Sequence, residues 1–127
     1  MKEYVAGNPP SGPYSPGIKA SGTFLFVAGQ TGRRDWTIVE GGIAAETRQA
    51  LENLGSVLRE AGTDFAHVVR CGVFLADSAD FKAMNEVYAE FFPEPRPART
   101  TVSGLLGGAK VEIDAIAVVP AGETESG

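Results

Sequence analysis

One segment near the C-terminus limits the fold more than any other. Val111-Glu112-Ile113-Asp114-Ala115-Ile116-Ala117-Val118-Val119 reads as a strand with apolar residues on both of its faces. Successive strand side chains point to opposite sides, so Glu112, Asp114, Ile116 and Val118 share one face and Val111, Ile113, Ala115, Ala117 and Val119 the other. Neither face suits water. Helices of the same chain can cover one side, and the simplest cover for the second is another subunit, so the pattern predicts an oligomer.

The remaining elements follow from local signals. Residues 1–11 open a stretch rich in Pro and Gly, with Pro9, Pro10, Pro13 and Pro16, that cannot be helical and is expected to lie extended over the surface or against a neighbour. Ile18-Lys19-Ala20, Ser21-Gly22 and Thr23 to Ala28 read as a hairpin around a Ser-Gly turn. A polar loop through Arg33, Arg34, Asp35 and Trp36 precedes a short strand, Thr37-Ile38-Val39, and a Gly41-Gly42 break.

From Ile43 to Ala61 the positions Thr47, Ala50, Leu51, Leu54, Leu58 and Ala61 recur at helical spacing, and Gly62 closes the helix. His67 to Ala76 reads as a central strand. Asp77 or Ser78 caps a second helix whose stripe of Phe81, Met84, Tyr88 and Phe91 ends before Pro93. Arg99 to Ser103 and Val111 to Val119 supply the last strands, and residues 120–127 read as a disordered tail. The sum is one α+β domain over residues 1–127, a mixed sheet with two helices on one face.

Composition removes several function classes. Eleven Lys and Arg against 16 Asp and Glu give a net charge of −5, which argues against a nucleic-acid partner. No apolar run approaches the roughly 20 residues of a membrane span, so a soluble, cytoplasmic protein with no membrane partner is expected. Cys71 is the only cysteine and His67 the only histidine. An internal disulfide and a His/Cys zinc cage are therefore excluded, and neither metal nor cofactor is expected.

Two charges stand in or beside apolar strands, where an unpaired ion is costly: Arg99 in Pro97-Ala98-Arg99-Thr100-Thr101-Val102, and Glu112. Read as facing one another, they indicate a site for a small acid, or else a structural ion pair. Asp114 reads as a structural hydrogen-bonding group.

The chain resembles the RidA/YjgF family of reactive-intermediate deaminases, also called endoribonuclease L-PSP-like. The blocks that carry the resemblance are Gly12-Pro13-Tyr14-Ser15, Phe26-Val27-Ala28-Gly29-Gln30, Thr47-Arg48-Gln49-Ala50-Leu51-Glu52-Asn53-Leu54, Val73-Phe74-Leu75, Met84-Asn85-Glu86-Val87-Tyr88, Pro97-Ala98-Arg99-Thr100-Thr101 and Val111 to Ala117. They occur in the family's order and span the chain from Gly12 to Val119. The resemblance implies a chorismate-mutase-like fold and a homotrimer with a central sheet barrel and clefts between subunits. It also implies cofactor-free hydrolysis of 2-imino acids or enamines to 2-keto acids and ammonia.

By position, Arg99 matches the arginine that binds the substrate carboxylate and Glu112 the carboxylate that positions water. Tyr14, Gly29, Asn85 and Thr101 match positions lining the same cleft. Three features depart from the family pattern. Thr101 stands where many members have cysteine, the connection from Gly104 to Lys110 lacks a Leu-Pro turn, and the loop after Gln30 lacks an Ile-Pro opening. Besides an imino-acid deaminase, two alternatives stand: an aminomuconate-type enamine deaminase, and a trimeric carboxylate-binding or regulatory protein without turnover.

Overall fold

The chain runs β1 (Lys2–Val5), β2 (Gly17–Ala20), β3 (Thr23–Thr31), β4 (Arg33–Arg34), β5 (Thr37–Ile38), α1 (Gly42–Glu60), β6 (Val68–Leu75), α2 (Phe81–Phe91), β7 (Ala98–Ser103) and β8 (Val111–Val119). This computed structural model describes residues 1–104 and 107–121. The main sheet has the order β3-β8-β6-β7. β8 is antiparallel to both β3 and β6, whereas β6 and β7 are parallel. It follows that β3 and β6 also run the same way, and parallel strands need a crossover. α1 carries the chain from β3 to β6 and α2 from β6 to β7. Both crossovers step in one direction across the sheet, so a single handedness puts both helices on one face.

α1 buries Thr47, Ala50, Leu51, Leu54 and Leu58, the stripe its spacing predicts. It stops at Gly62, whose φ of 83° lies in the left-handed region open to glycine. There the amide of Gly62 donates to the Arg59 carbonyl and that of Thr63 to the Leu58 carbonyl. The Thr63 hydroxyl then donates to the Val118 carbonyl at 2.7 Å, tying the helix exit to β8. Ahead of α2, Asp77 accepts a hydrogen bond from the Ala79 amide at 2.9 Å and starts a short turn over Ser78–Asp80. α2 buries Met84, Val87 and Tyr88. Between helices and sheet, Leu51, Leu54 and Leu58 meet Val68, Cys71, Val73, Ile113 and Ala117 in one core.

The expected hairpin of β2 with β3 is not formed. β2 pairs with β1, Lys2 opposite Ala20 and Val5 opposite Gly17, while β3 pairs with β8, Thr23 opposite Val119 and Phe26 opposite Ile116. Ser21-Gly22 is a corner between two sheets instead of a reversal. Gly22 supplies the φ of 127°, and Ser21 exchanges backbone hydrogen bonds with Met1. The N-terminal stretch is extended, as expected, but its first residues are a paired strand of the same chain. Arg33 to Ile38 forms a tight hairpin with Asp35 and Trp36 at φ of 52° and 72°, the two positive values that match strand twist. The tail expectation falls, from residue 122 on, outside the described residues.

From Val111 to Ala117 β8 alternates as read: Val111, Ile113, Ala115 and Ala117 are buried under the helices, and Glu112, Asp114 and Ile116 lie on the side facing away. At the strand's end the burial pattern breaks, with Val118 buried and Val119 half-buried. On that side β3 exposes Phe26 at 73% and Phe24 at 41%. This exposed apolar surface is what the expectation of a second subunit on that face requires.

Leu54 is fully buried in the core. Leu54→Ala should lower the unfolding free energy in urea by about 2–5 kcal/mol, whereas a loss under about 1 kcal/mol would contradict the packing described.

Candidate active site

β7 and β6 fix where Arg99 points. Arg99 lies opposite Cys71, and Cys71 opposite Ala115, so all three share the helix-covered face. Arg99 is 9% exposed. Its guanidinium carbon sits 4.8 Å from the ring centres of both Tyr14 and Tyr88 and 5.7 Å from that of Phe81. Aromatic faces stabilise a cation by roughly 0.5–2 kcal/mol each, but they do not accept the hydrogen bonds that its N–H groups offer. Among the described residues, Nε, Nη1 and Nη2 have no hydrogen-bond partner. Desolvation lowers the Arg99 pKa from its ordinary value, yet an arginine keeps its proton. The result is a buried, charged fork with vacant donors, suited to a planar carboxylate.

The local fold delivers the neighbours. The Ser15 amide donates to the Pro97 carbonyl at 3.1 Å and the Ser15 hydroxyl to the Arg96 carbonyl, which lays Gly12 to Ser15 along the start of β7. Tyr14 is thereby held over Arg99. Gly12 permits the approach: a Cβ there would lie 3.2 Å from both Arg99 Nη2 and Asn85 Nδ2 and 3.3 Å from the Tyr14 ring. The Tyr14 pKa is lowered, first by its hydrogen bond with the Ser11 side chain. α2 contributes Asn85, whose buried Oδ1 is unpartnered, and Thr101, two residues beyond Arg99, has an unpartnered buried hydroxyl. Thr101 also borders a cavity of about 280 Å³ with Leu75, Ser78, Phe81, Val102 and Ser103.

Glu112 is elsewhere. It lies opposite Phe74 on β6 and Thr31 on β3, and Phe74 is three residues from Cys71, which puts Glu112 on the face away from the helices. Its carboxylate rests on Gly29, where a Cβ would stand only 2.0 Å from Oε2. A register shift in β3 between Val27 and Gln30 makes room for that contact. The expectation that Arg99 and Glu112 face each other is therefore corrected for the single subunit, because the odd spacing in register separates them through the sheet. Tyr14, Asn85, Arg99 and Thr101 gather on one side, Gly29 and Glu112 on the other. Asp114, also on the far side, accepts from the Gly72 amide at 2.7 Å and lies 3.6 Å from Arg70, as a structural group would.

Sequence reasoning missed the walls of the arginine site. Phe81 and Tyr88 belong to a helical stripe read as core, which they are, and nothing in their spacing tells which core rings border a cation. Among the described residues, no group of three or more His, Cys, Asp or Glu side chains is placed to hold a metal ion.

The endoribonuclease L-PSP family pattern matches residues 6–119. The chain belongs to this family, the RidA/YjgF family. It is similar to the human 2-iminobutanoate/2-iminopropanoate deaminase, 40% identical over 111 residues that cover 84% of this chain and 80% of the human protein. Protein DfrA of Myxococcus xanthus is 46% identical over 112 residues, covering 84% of this chain and 86% of that protein. Among solved structures, RidA from an Antarctic Psychrobacter matches with a TM-score of 0.72 at 32% identity, covering 87% of this chain and 92% of that one. The mixed sheet and paired helices are those of a RidA/YjgF subunit.

Cys71, next to Arg99 on the opposite strand, is fully buried, and burial pushes its thiol from 9.0 up to about 12. A proton held more tightly in the folded state stabilises it fully below pH 9.0 and is lost as pH rises towards about 12. Between these limits the stability of the wild type should fall more steeply than that of Cys71→Ala in urea titrations. Parallel profiles would contradict the burial.

Proposed function

We propose that this RidA/YjgF protein is a cofactor-free deaminase that hydrolyses 2-imino acids, or their enamine tautomers, to 2-keto acids and ammonia. The observation that carries the reading is the buried Arg99 guanidinium, whose three nitrogens make no hydrogen bond of good geometry among the described residues. A site of this kind suits the carboxylate of a small planar acid. A second support comes from relatives named for the activity, among them the human deaminase and a chloroplastic Reactive Intermediate Deaminase A of Arabidopsis thaliana, 43% identical over 85% of this chain and 59% of that one.

In this mechanism Arg99 takes the carboxylate in its fork, the Tyr14 ring closes over the substrate, and Asn85 and Thr101 add hydrogen bonds through the groups left unpartnered. Glu112 holds a water against the imine carbon. The water oxygen bonds to the carbon of the protonated imine as Glu112 takes one proton and the C=N π pair moves to nitrogen, which gives a carbinolamine. Glu112 returns the proton to the amine nitrogen, the C–N bond breaks with its electron pair leaving on ammonia, and the hydroxyl proton passes to Glu112 as the keto group forms. Backbone groups at Gly29 orient the imine nitrogen. An aminomuconate-type enamine presents the same carboxylate and C–N chemistry and belongs among the substrates to be assayed.

Because Arg99 and Glu112 occupy opposite faces of one sheet, the proposal includes a homotrimer. Three faces bearing Phe24, Phe26 and Ile116 close into a central barrel, and Gly29 and Glu112 of one subunit reach the Arg99 cluster of the next. No helix among the described residues is long and apolar enough to cross a membrane. A cytoplasmic location is part of the proposal, although relatives include proteins named as mitochondrial and chloroplastic.

The test generates imines from serine or threonine with a dehydratase and traps survivors with semicarbazide. Wild type should accelerate imine loss, Arg99→Ala should abolish it with weaker keto-acid binding, and Glu112→Ala should abolish it with keto-acid binding retained. Keto-acid binding without acceleration by wild type, on imino acids or the ring-derived enamine, would replace the enzyme by a carboxylate-binding protein.

A further inference from the structure

α1 carries a second stripe besides its apolar one. Glu46, Gln49 and Asn53 follow one another at spacings of three and four, so they line one face of the helix. Glu46 is 3% exposed and Gln49 9%. Polar side chains in such places are costly unless they satisfy specific partners, and an apolar residue would pack there at less cost. The partners of Glu46 and Asn53 are backbone groups on segments flanking Glu112, and Gln49 is held between the Asn53 and Arg34 side chains.

Glu46 Oε1 accepts the Lys110 amide at 2.8 Å. Lys110 is the residue before β8, and its own carbonyl accepts from the Ala76 amide at 3.0 Å. These two hydrogen bonds set where β8 begins, two residues ahead of Glu112. Thr31, which lies opposite Glu112 across the β3 ladder, is held from the same helix: Asn53 Nδ2 donates to the carbonyls of Thr31 at 3.0 Å and Arg33 at 2.9 Å. Gln49 locks Asn53 through Nε2 to Oδ1 at 2.9 Å and accepts from Arg34 at 2.7 Å. Gly32 lies so close to the helix that a Cβ there would be 2.7 Å from the Cα and carbonyl oxygen of Glu46.

We propose that Glu46, Gln49 and Asn53 are positioning residues for Glu112, clasping from α1 the two backbone segments between which its carboxylate is held. The proposal rests on the deaminase reading for its kinetic consequence. None of the three touches substrate in it; they act through the placement of Glu112 over Gly29. Placement errors near 1 Å are enough to reduce turnover by about 100-fold, so loss of one clasp has a measurable effect.

The experiment measures imine hydrolysis by wild type, Glu46→Ala, Glu46→Gln and Asn53→Ala, and the carboxylate resonance of Glu112 in the same proteins labelled with 13C-glutamate. Glu46→Ala and Asn53→Ala should lower kcat by about tenfold or more with KM changed by less than about threefold. Glu46→Gln should stay near wild type, because its amide oxygen still accepts the Lys110 N–H. The Glu112 resonance should move in both alanine variants and not in Glu46→Gln. An unmoved Glu112 in a folded alanine variant overturns the proposal. So does a Glu46→Gln enzyme as impaired as Glu46→Ala, since that would make the charge and not the clasp essential. If Glu46→Ala fails to fold, Asn53→Ala carries the comparison. If wild type turns over no imine, the deaminase reading fails and the resonance of Glu112 still decides the positioning role.

Discussion

A strand presents its side chains to two faces in alternation, and here that alternation separates the two charges to which the proposed chemistry is assigned. Arg99 shares a face with Cys71 and Ala115, while Glu112 lies three residues out of step. One layer of sheet therefore stands between the proposed carboxylate-binding half and the proposed water-positioning half. The same alternation leaves Phe24 and Phe26 uncovered beside Glu112. The neighbouring subunit of the proposed homotrimer would complete the proposed site and cover the apolar face together.

The arginine half is built to keep a cation dry without neutralising it. A carboxylate partner from the same chain would have stabilised Arg99 and filled its donors. Tyr14, Tyr88 and Phe81 stabilise the charge through their faces and leave the fork vacant. Lysine in this position would lose the planar match to a carboxylate and the stacking on the rings. The N-terminal segment, bound along β7 through Ser15, is part of the site because it brings Tyr14 and Gly12 to the guanidinium.

Features governed by near neighbours were legible in the sequence. The α1 stripe, its Gly62 stop and the alternation of β8 from Val111 to Ala117 all depend on residues within a few positions of each other, and the structure contains each of them. Asp77, by contrast, caps the turn over Ser78–Asp80, and α2 itself starts after Asp80 without a side-chain cap. Partner choice between strands was not legible. Ser21-Gly22 is a sound turn signal, but whether β3 returns to β2 or crosses to β8 depends on matching nine residues with a strand almost a hundred positions away. The division of the site was hidden for the same reason, since a face assignment within β8 says nothing of β7 until both are registered against β6. On α1 the Glu46, Gln49 and Asn53 stripe resembles a solvated face in sequence, and only the return of Thr31 and Lys110 to that helix shows its partners.

The central claim is that a working site takes Arg99 from one subunit and Glu112 from another. Mixing inactive Arg99→Ala with inactive Glu112→Ala, after dissociation and reassembly, measures it directly. Shared sites predict recovery of about one quarter of wild-type imine hydrolysis in an equal mixture, the share of interfaces that assort one intact half from each variant. No recovery from mixed assemblies that have demonstrably exchanged subunits would contradict it.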